Sequence, residues 1–322
     1  EISLGLVGSE MCIRDRADVV IMTEKSELFM TAPFTADDKT AGAGTAENAA
    51  KSGVAAILAK DSDEAIAKAK QLLSVLPANN LETAGNDYYM ENDAAVSADL
   101  KGIELISSVA DKESVIELYK QFGTSAVTAI GSLNWRTAGF VATNNGAKLT
   151  ADDSAKIARF VTLCDAYSIP VVTFVDSEGF EKSSAAELAG SIRDSAKLAQ
   201  AYASATTAKI AVVTGKAYGS AYVALASTAA GSDFTFAWEG AVIAPTTPEA
   251  AVVFLNGVSE DNAKQAQEYA DNEADAFTAA ANGYVDRVIT AEDTKSALTS
   301  AIEATSSKRV VTPAKKHVNF VY

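Results

Sequence analysis

From residue 17 onward the chain alternates short runs of consecutive apolar or β-branched residues with longer stretches whose apolar positions recur every three or four residues. Pro170-Val171-Val172-Thr173-Phe174-Val175 is apolar without alternation, the pattern of a strand buried on both faces. Further strands are predicted over 17–22, 28–31, 125–130, 137–143 and 210–214, and helices over 61–76, 111–122, 151–167, 186–205 and 220–229. The helix at 61–76 opens on Asp61-x-x-Glu64, a capping-box pattern, carries Ile66, Ala69, Leu72, Leu73 and Leu76 at helical spacing, and stops at Pro77. The one at 111–122 ends at Gly123. Residues 243–252 read as strand, loop and helix entry, with Pro248 near the first helical position and Glu249 as a dipole partner in the first turn. Residues 41–45 read as a flexible loop and the polar stretch 77–100 as a linker. Strand, helix, strand, helix predicts an α/β architecture with crossover helices, in which ligands bind where strands end and helices begin.

A chain of 322 residues is long enough for one large or two ordinary domains, and 48% hydrophobic with 21% charged residues is a globular composition. With 27 Lys and Arg against 42 Asp and Glu, the net charge of −15 repels a phosphate backbone, so no nucleic-acid partner is expected. Two cysteines, Cys12 and Cys164, build no disulfide framework. The single histidine, His317 in Lys315-Lys316-His317, removes the usual zinc constellations and the Ser-His-Asp triad, so no metal site is expected and His317 reads as a solvated tail residue. No apolar run approaches the ~20 residues of a membrane span, and a soluble, reduced, cytoplasmic chain is expected. Residues 1–16, EISLGLVGSEMCIRDR, contrast with the rest and resemble translated sequencing-adapter read-through. The alternatives are a short strand over 2–7 or a clipped export signal, which would lack its basic start and its small-residue cleavage site. On the adapter reading, Cys164 is the one genuine thiol and native sequence upstream of Ala17 is missing.

Two loops follow buried strands. In Thr214-Gly215-Lys216-Ala217-Tyr218-Gly219-Ser220-Ala221-Tyr222, the small residues Gly219, Ser220 and Ala221 let main-chain N–H groups approach a ligand oxygen, as an oxyanion hole requires. The stretch lacks the glycine spacing and the Ser or Thr of a phosphate-binding P-loop. Close strand–helix packing explains the same residues equally well. Asp176-Ser177-Glu178-Gly179-Phe180 could present amides at the same sheet edge with Phe180 as an apolar wall, or be a simple bend.

At these loops the sequence resembles the carboxyltransferase subunit of biotin-dependent acyl-CoA carboxylases and decarboxylases, of the propionyl-CoA carboxylase beta and methylmalonyl-CoA decarboxylase alpha type. The resemblance is carried by Ala155-Lys156-Ile157-Ala158-Arg159-Phe160, by 169–176, by Ile192-Arg193 with Ala196-Lys197-Leu198, by 216–222, by Ala237-Trp238, by 281–286 and by Lys315-Lys316-His317. It covers nearly everything after Ala17. It implies a crotonase-like fold of the ClpP/crotonase type, a ββα superhelix, with 17–83 the end of an N-terminal carboxyltransferase domain and 84–322 a complete C-terminal one. It further implies a homo-oligomer with active sites between the N-terminal domain of one subunit and the C-terminal domain of another.

The function implied is carboxyl transfer between carboxybiotin and a short acyl-CoA. The amides of Gly219, Ser220 and Ala221 would be the catalytic group, holding the biotin ureido oxygen, and Gly179 and Phe180 would complete the biotin site. A Gly-Gly pair for the thioester oxygen would lie just before Ala17, where the adapter-like run stands. Biotin on a carrier protein and a coenzyme A thioester are implied, with biotin carboxylase or a membrane decarboxylase subunit as partner; the latter would place the chain at the membrane periphery. Four departures stand out: Ser220 where the family usually has Gly, Glu178 where Pro is common, the Ala-rich run Ser183 to Ala189 in place of a more typical continuation, and Val223, bordering the acyl pocket, where an acidic residue is usual. Paired amides suit this chemistry without a histidine or metal, since charge develops on two oxygens. Two rival readings are an enoyl-CoA hydratase or isomerase using carboxylates such as Glu178, and a catalytically incomplete fragment.

Overall fold

The computed structural model describes residues 17–29, 42–79, 82, 90–144 and 148–311. Cys12, His317, the adapter-like run and the position expected for the Gly-Gly pair lie outside them. Near the start, β1 (Ile21–Thr23) pairs in parallel with β2 (Ile57–Ala59), and between them stands the short helix α1 (Ala46–Lys51). Helix α2 (Ser62–Val75) follows, with Asp61 accepting from the Glu64 N–H (2.9 Å) and the Glu64 carboxylate accepting from the Lys60 N–H (2.9 Å). Its buried face is centred on Leu72 and Val75, while Ile66 and Leu73 project outward. Leu72 and Leu73 are about 100° apart on the helix, and the buried face falls on the Leu72 and Val75 side, so the expected stripe rotates toward Val75.

A helix absent from the predicted set, α3 (Gly102–Val109), packs Leu105, Ile106 and Val109 against the sheet. The helix expected over 111–122 is not formed. Glu113 (φ 62°) and Tyr119 (φ 58°) are both left-handed, which a helix cannot contain, and between them Ile116 and Leu118 point inward from β3 (Ile116–Leu118). The described linker residues 90–100 carry no helix or strand but are pinned: the Asn92 side chain donates to the carbonyls of Ser107 and Ala110, both at 2.7 Å.

The main sheet continues with β4 (Val127–Leu133), β5 (Arg136–Ala142), helix α4 (Ala151–Ala166), β6 (Val171–Ser177), helices α5 (Ser184–Ala189) and α6 (Ser191–Ser204), and β7 (Lys209–Tyr218). Then come α7 (Ser220–Leu225), β8 (Phe234–Trp238), β9 (Val242–Ala244), α8 (Pro248–Asn256), α9 (Asn262–Asn272), α10 (Ala276–Ala281), β10 (Arg287–Ile289) and α11 (Thr294–Ala304). Two predicted helices are shorter than their patterns: Gly190, left-handed at φ 90°, splits 186–205 into α5 and α6, and α7 gives way to a 3₁₀ turn at Thr228–Ala230. Strand order is β10-β8-β7-β6-β5-β4-β3, with β9 also on β7. Strands β3, β4 and β5 are antiparallel, while β5 through β8 and β10 run parallel through crossover helices, as the alternation predicts.

β6 is sandwiched. Val171 and Val175 face a cluster containing Ile157, Phe160, Leu198 and Tyr202, while Val172 and Phe174 face Leu105, Phe140 and Leu298. Burial on both sides explains why its sequence lacks alternation. Ala56, Ile57, Leu72 and Val75 join the first cluster, and the Tyr119 N–H donates to the Ala56 carbonyl (2.8 Å).

Candidate active site

Parallel strands β6 and β7 end side by side, so the loops that follow them share one edge of the sheet. Val175 pairs with Val213 and Ser177 with Ala217, leaving Thr214, Gly215 and Lys216 opposite Asp176 alone. This bulge is fastened by the Asp176 carboxylate, which accepts the Lys216 N–H at 2.8 Å. Gly215 is needed there, because a Cβ would fall 2.5 Å from Asp176 Oδ1. Beyond β6, the Ser177 hydroxyl and the Gly179 main chain bond to each other, and the Leu149 N–H donates to the Gly179 carbonyl (2.9 Å). Gly179 (φ 106°) is buried, and a Cβ on it would lie 3.9 Å from the Tyr218 carbonyl oxygen. The two loops singled out in the sequence are thus in contact.

Gly219 turns the chain from β7 into α7 at φ 55°, ψ −127°, a conformation open to glycine. A Cβ would stand 2.9 Å from the Pro245 carbonyl oxygen. The Gly219 N–H is donated to the Ala244 carbonyl at 2.9 Å, so it is not an available oxyanion donor, and the expected trio of amides narrows to two. The first helical bond runs from the Val223 N–H to the Gly219 carbonyl (3.2 Å). The N–H groups of Ser220 and Ala221 therefore belong to the open first turn of α7, without an intrahelical acceptor. Ser220 is exposed and Ala221 buried. Val223 is 52% exposed, and Phe180 and Tyr222 lie half-buried against the main cluster.

The titratable groups nearby set limits on the chemistry. Glu178 Oε1 is 2.7 Å from Lys216 Nζ, and this hydrogen bond holds the carboxyl below its ordinary pKa. A carboxylate so stabilised is a poor general acid, which weighs against the hydratase reading. Burial pushes the Tyr222 phenol up to about 12; its hydroxyl donates to the Tyr284 carbonyl at 2.6 Å and ties the 281–284 turn to α7. Burial likewise drives the Cys164 thiol far above its usual range, leaving it inert beneath Gly139. Among the described residues, no group of three or more His, Cys, Asp or Glu side chains is placed to hold a metal ion. Two cavities, of about 360 and 590 Å³, lie elsewhere, the first around Arg136, Thr207 and Lys308 and the second between α4 and α6.

A carboxyl transferase domain model matches residues 14–320. The chain belongs to the carboxyl transferase family. It is 35% identical to the methylmalonyl-CoA carboxyltransferase 12S subunit of Propionibacterium freudenreichii subsp. shermanii, over 94% of this chain and 63% of the relative. It is 33% identical to the methylmalonyl-CoA decarboxylase subunit alpha of Veillonella parvula, over 94% of this chain and 64% of that one. The crystal structure of transcarboxylase 12S, a hexamer with methylmalonyl-coenzyme A and methylmalonic acid bound, superimposes with a TM-score of 0.85 at 34% identity, covering 95% of this chain and 64% of the other. The fold is crotonase-like, as the resemblance implies. This family member spans under two thirds of the length of those relatives.

The ion pair of Glu178 with Lys216 and the Asp176 fastening are not legible as a unit in the sequence. A signal exists: each residue stands just past a strand predicted from the sequence, 170–175 or 210–214. What hides the pairing is the bulge, which shifts β7 relative to β6.

Proposed function

We propose that this chain performs carboxyl transfer between a biotin group, delivered on a carrier protein, and a short acyl-CoA, as a carboxylase or decarboxylase subunit working with biotin carboxylase or a membrane decarboxylase partner. Membership of the family supports the reaction class. The observation that carries the reading is the pair of main-chain N–H groups at Ser220 and Ala221, left without intrahelical acceptors where the Gly219 turn opens α7, beside the buried small side chain of Ala221. Biotin supplies, when bound, a urea nitrogen able to carry the carboxyl group. The chain's part is to polarise the urea oxygen with these two donors, each worth a few kcal/mol in the transition state, and to offer Gly179 and Phe180 as the adjoining wall. Val223, on the exposed side of α7, borders the acyl group. The working form is a homo-oligomer in the cytoplasm, peripheral to the membrane in a decarboxylase complex.

The test is biotin-dependent decarboxylation of malonyl- or methylmalonyl-CoA, measured on this chain and on a longer version carrying an N-terminal carboxyltransferase domain. Ser220→Pro removes one N–H at a helix position that tolerates proline. It is expected to lower kcat about 100-fold while leaving the far-UV circular dichroism spectrum unchanged. Activity in neither version, or activity indifferent to avidin, overturns the proposal; the latter would favour the hydratase.

A further inference from the structure

The bulge in β7 redirects one side chain. With Thr214, Gly215 and Lys216 opposite Asp176 alone, and the Lys216 N–H held by Asp176 Oδ1 (2.8 Å), the Lys216 ammonium leaves the sheet and reaches the loop after β6. There it meets Glu178 at 2.7 Å, with the lysine side chain 51% exposed and the glutamate 30% exposed. Gly179, next in the chain, packs beside the Tyr218 carbonyl, one residue ahead of the Gly219 turn. The loop is clamped from the other side, since the Glu181 N–H donates to the Leu149 carbonyl (2.8 Å) and Leu149 bridges Phe180, which brings Lys148 and Lys182 alongside Glu178. Their charges add to that of Lys216 in holding Glu178 ionised. The other two carboxylates here are engaged differently: Asp176 with the Lys216 main chain and Glu181 with the Ser183 hydroxyl (2.8 Å).

A half-exposed ion pair of this kind contributes only about 0–1 kcal/mol, so an incoming carboxylate can exchange with Glu178 at little cost. We propose that Lys216 is the carboxylate-receiving residue of the site: an acyl-CoA whose acyl group bears a second, free carboxylate displaces Glu178 from the Lys216 ammonium, and Glu178 reclaims it once that carboxylate has gone. Glu178 thereby keeps the lysine ionised and oriented between turnovers. The inference rests on the carboxyl-transfer reading above and adds to it the residue that distinguishes carboxylated from uncarboxylated ester.

Calorimetric titration with methylmalonyl-CoA and with propionyl-CoA, on the longer version carrying an N-terminal carboxyltransferase domain, tests it, because the two esters differ by that one carboxylate. Lys216→Gln is expected to weaken methylmalonyl-CoA about ten-fold, as for loss of a charge-assisted hydrogen bond, and to leave propionyl-CoA unchanged. Lys216→Arg should restore most of the loss, and Glu178→Gln should tighten methylmalonyl-CoA a few-fold by removing the competitor. Equal weakening of both esters, or no effect of either substitution, overturns the inference while the function stands. Failure of the longer version, with its N-terminal carboxyltransferase domain, to bind either ester overturns both.

Discussion

Gly219 and Lys156 are the residues where local physics is most exposed. At φ 55° and ψ −127°, Gly219 holds a conformation that costs an L-residue about 1–3 kcal/mol, and the Pro245 oxygen leaves no room for a Cβ. Gly219→Ala is expected to lower unfolding stability by at least that amount in urea titration and to disturb both adjacent donors; unchanged stability would contradict the turn described. Lys156 is buried on α4, where its ammonium donates to the carbonyls of Ala126 (2.7 Å) and Gly123 (3.3 Å), and burial lowers its pKa from 10.5 to about 8. The folded chain then releases this proton at lower pH than the unfolded chain does. Stability tied to Lys156 should therefore rise as pH climbs from about 8 toward 10.5, and stay level below that window. Comparing unfolding free energies of the unaltered chain and Lys156→Met at pH 7 and pH 10 isolates the contribution: the difference should shift toward the unaltered chain at pH 10, and parallel pH profiles would refute the assignment.

Among elements, α4 shows how a sequence signal becomes a tertiary fastening. Thr150 accepts the Asp153 N–H (3.2 Å) and Asp153 accepts the Thr150 N–H (2.8 Å), a reciprocal cap. The same buried carboxylate also accepts the Ala126 N–H (3.0 Å), anchoring the chain that enters β4. Thr150→Ala should cost about 1 kcal/mol, whereas Asp153→Ala, which strands donors on two elements, should cost about 3 kcal/mol or more; equal costs by thermal or urea unfolding would show that the second role is absent. The helix α2 boundaries, the buried strand β6 and the Pro248 start of α8 were legible because cap, period and apolar run each act within a few residues. The segment 111–122 was not, because its helical spacing competes with pairing to β4, a partner that adjacent residues do not encode.

At the scale of the whole molecule, α8 exposes apolar side chains among the described residues: Phe254 is 89% and Leu255 62% exposed, with Val258 just beyond also bare. We expect an exposed apolar group of this kind, in a chain of net charge −15, to serve the self-association proposed above. The homo-oligomer proposed above is expected to fall to smaller species in sedimentation when Phe254 and Leu255 are both changed to Asp, and a monomer in the unaltered chain would defeat that expectation. The sequence alone determined the α/β class, the strand ends to search and the family, because strand burial, helix capping and a chain-long order of motifs are recorded residue by residue. Tertiary structure alone decided that the Gly219 N–H is spent on Ala244, and that Lys216 reaches Glu178 across a bulge. Those contacts depend on the register between strands, and register is settled by packing across the sheet, which no single segment of chain contains.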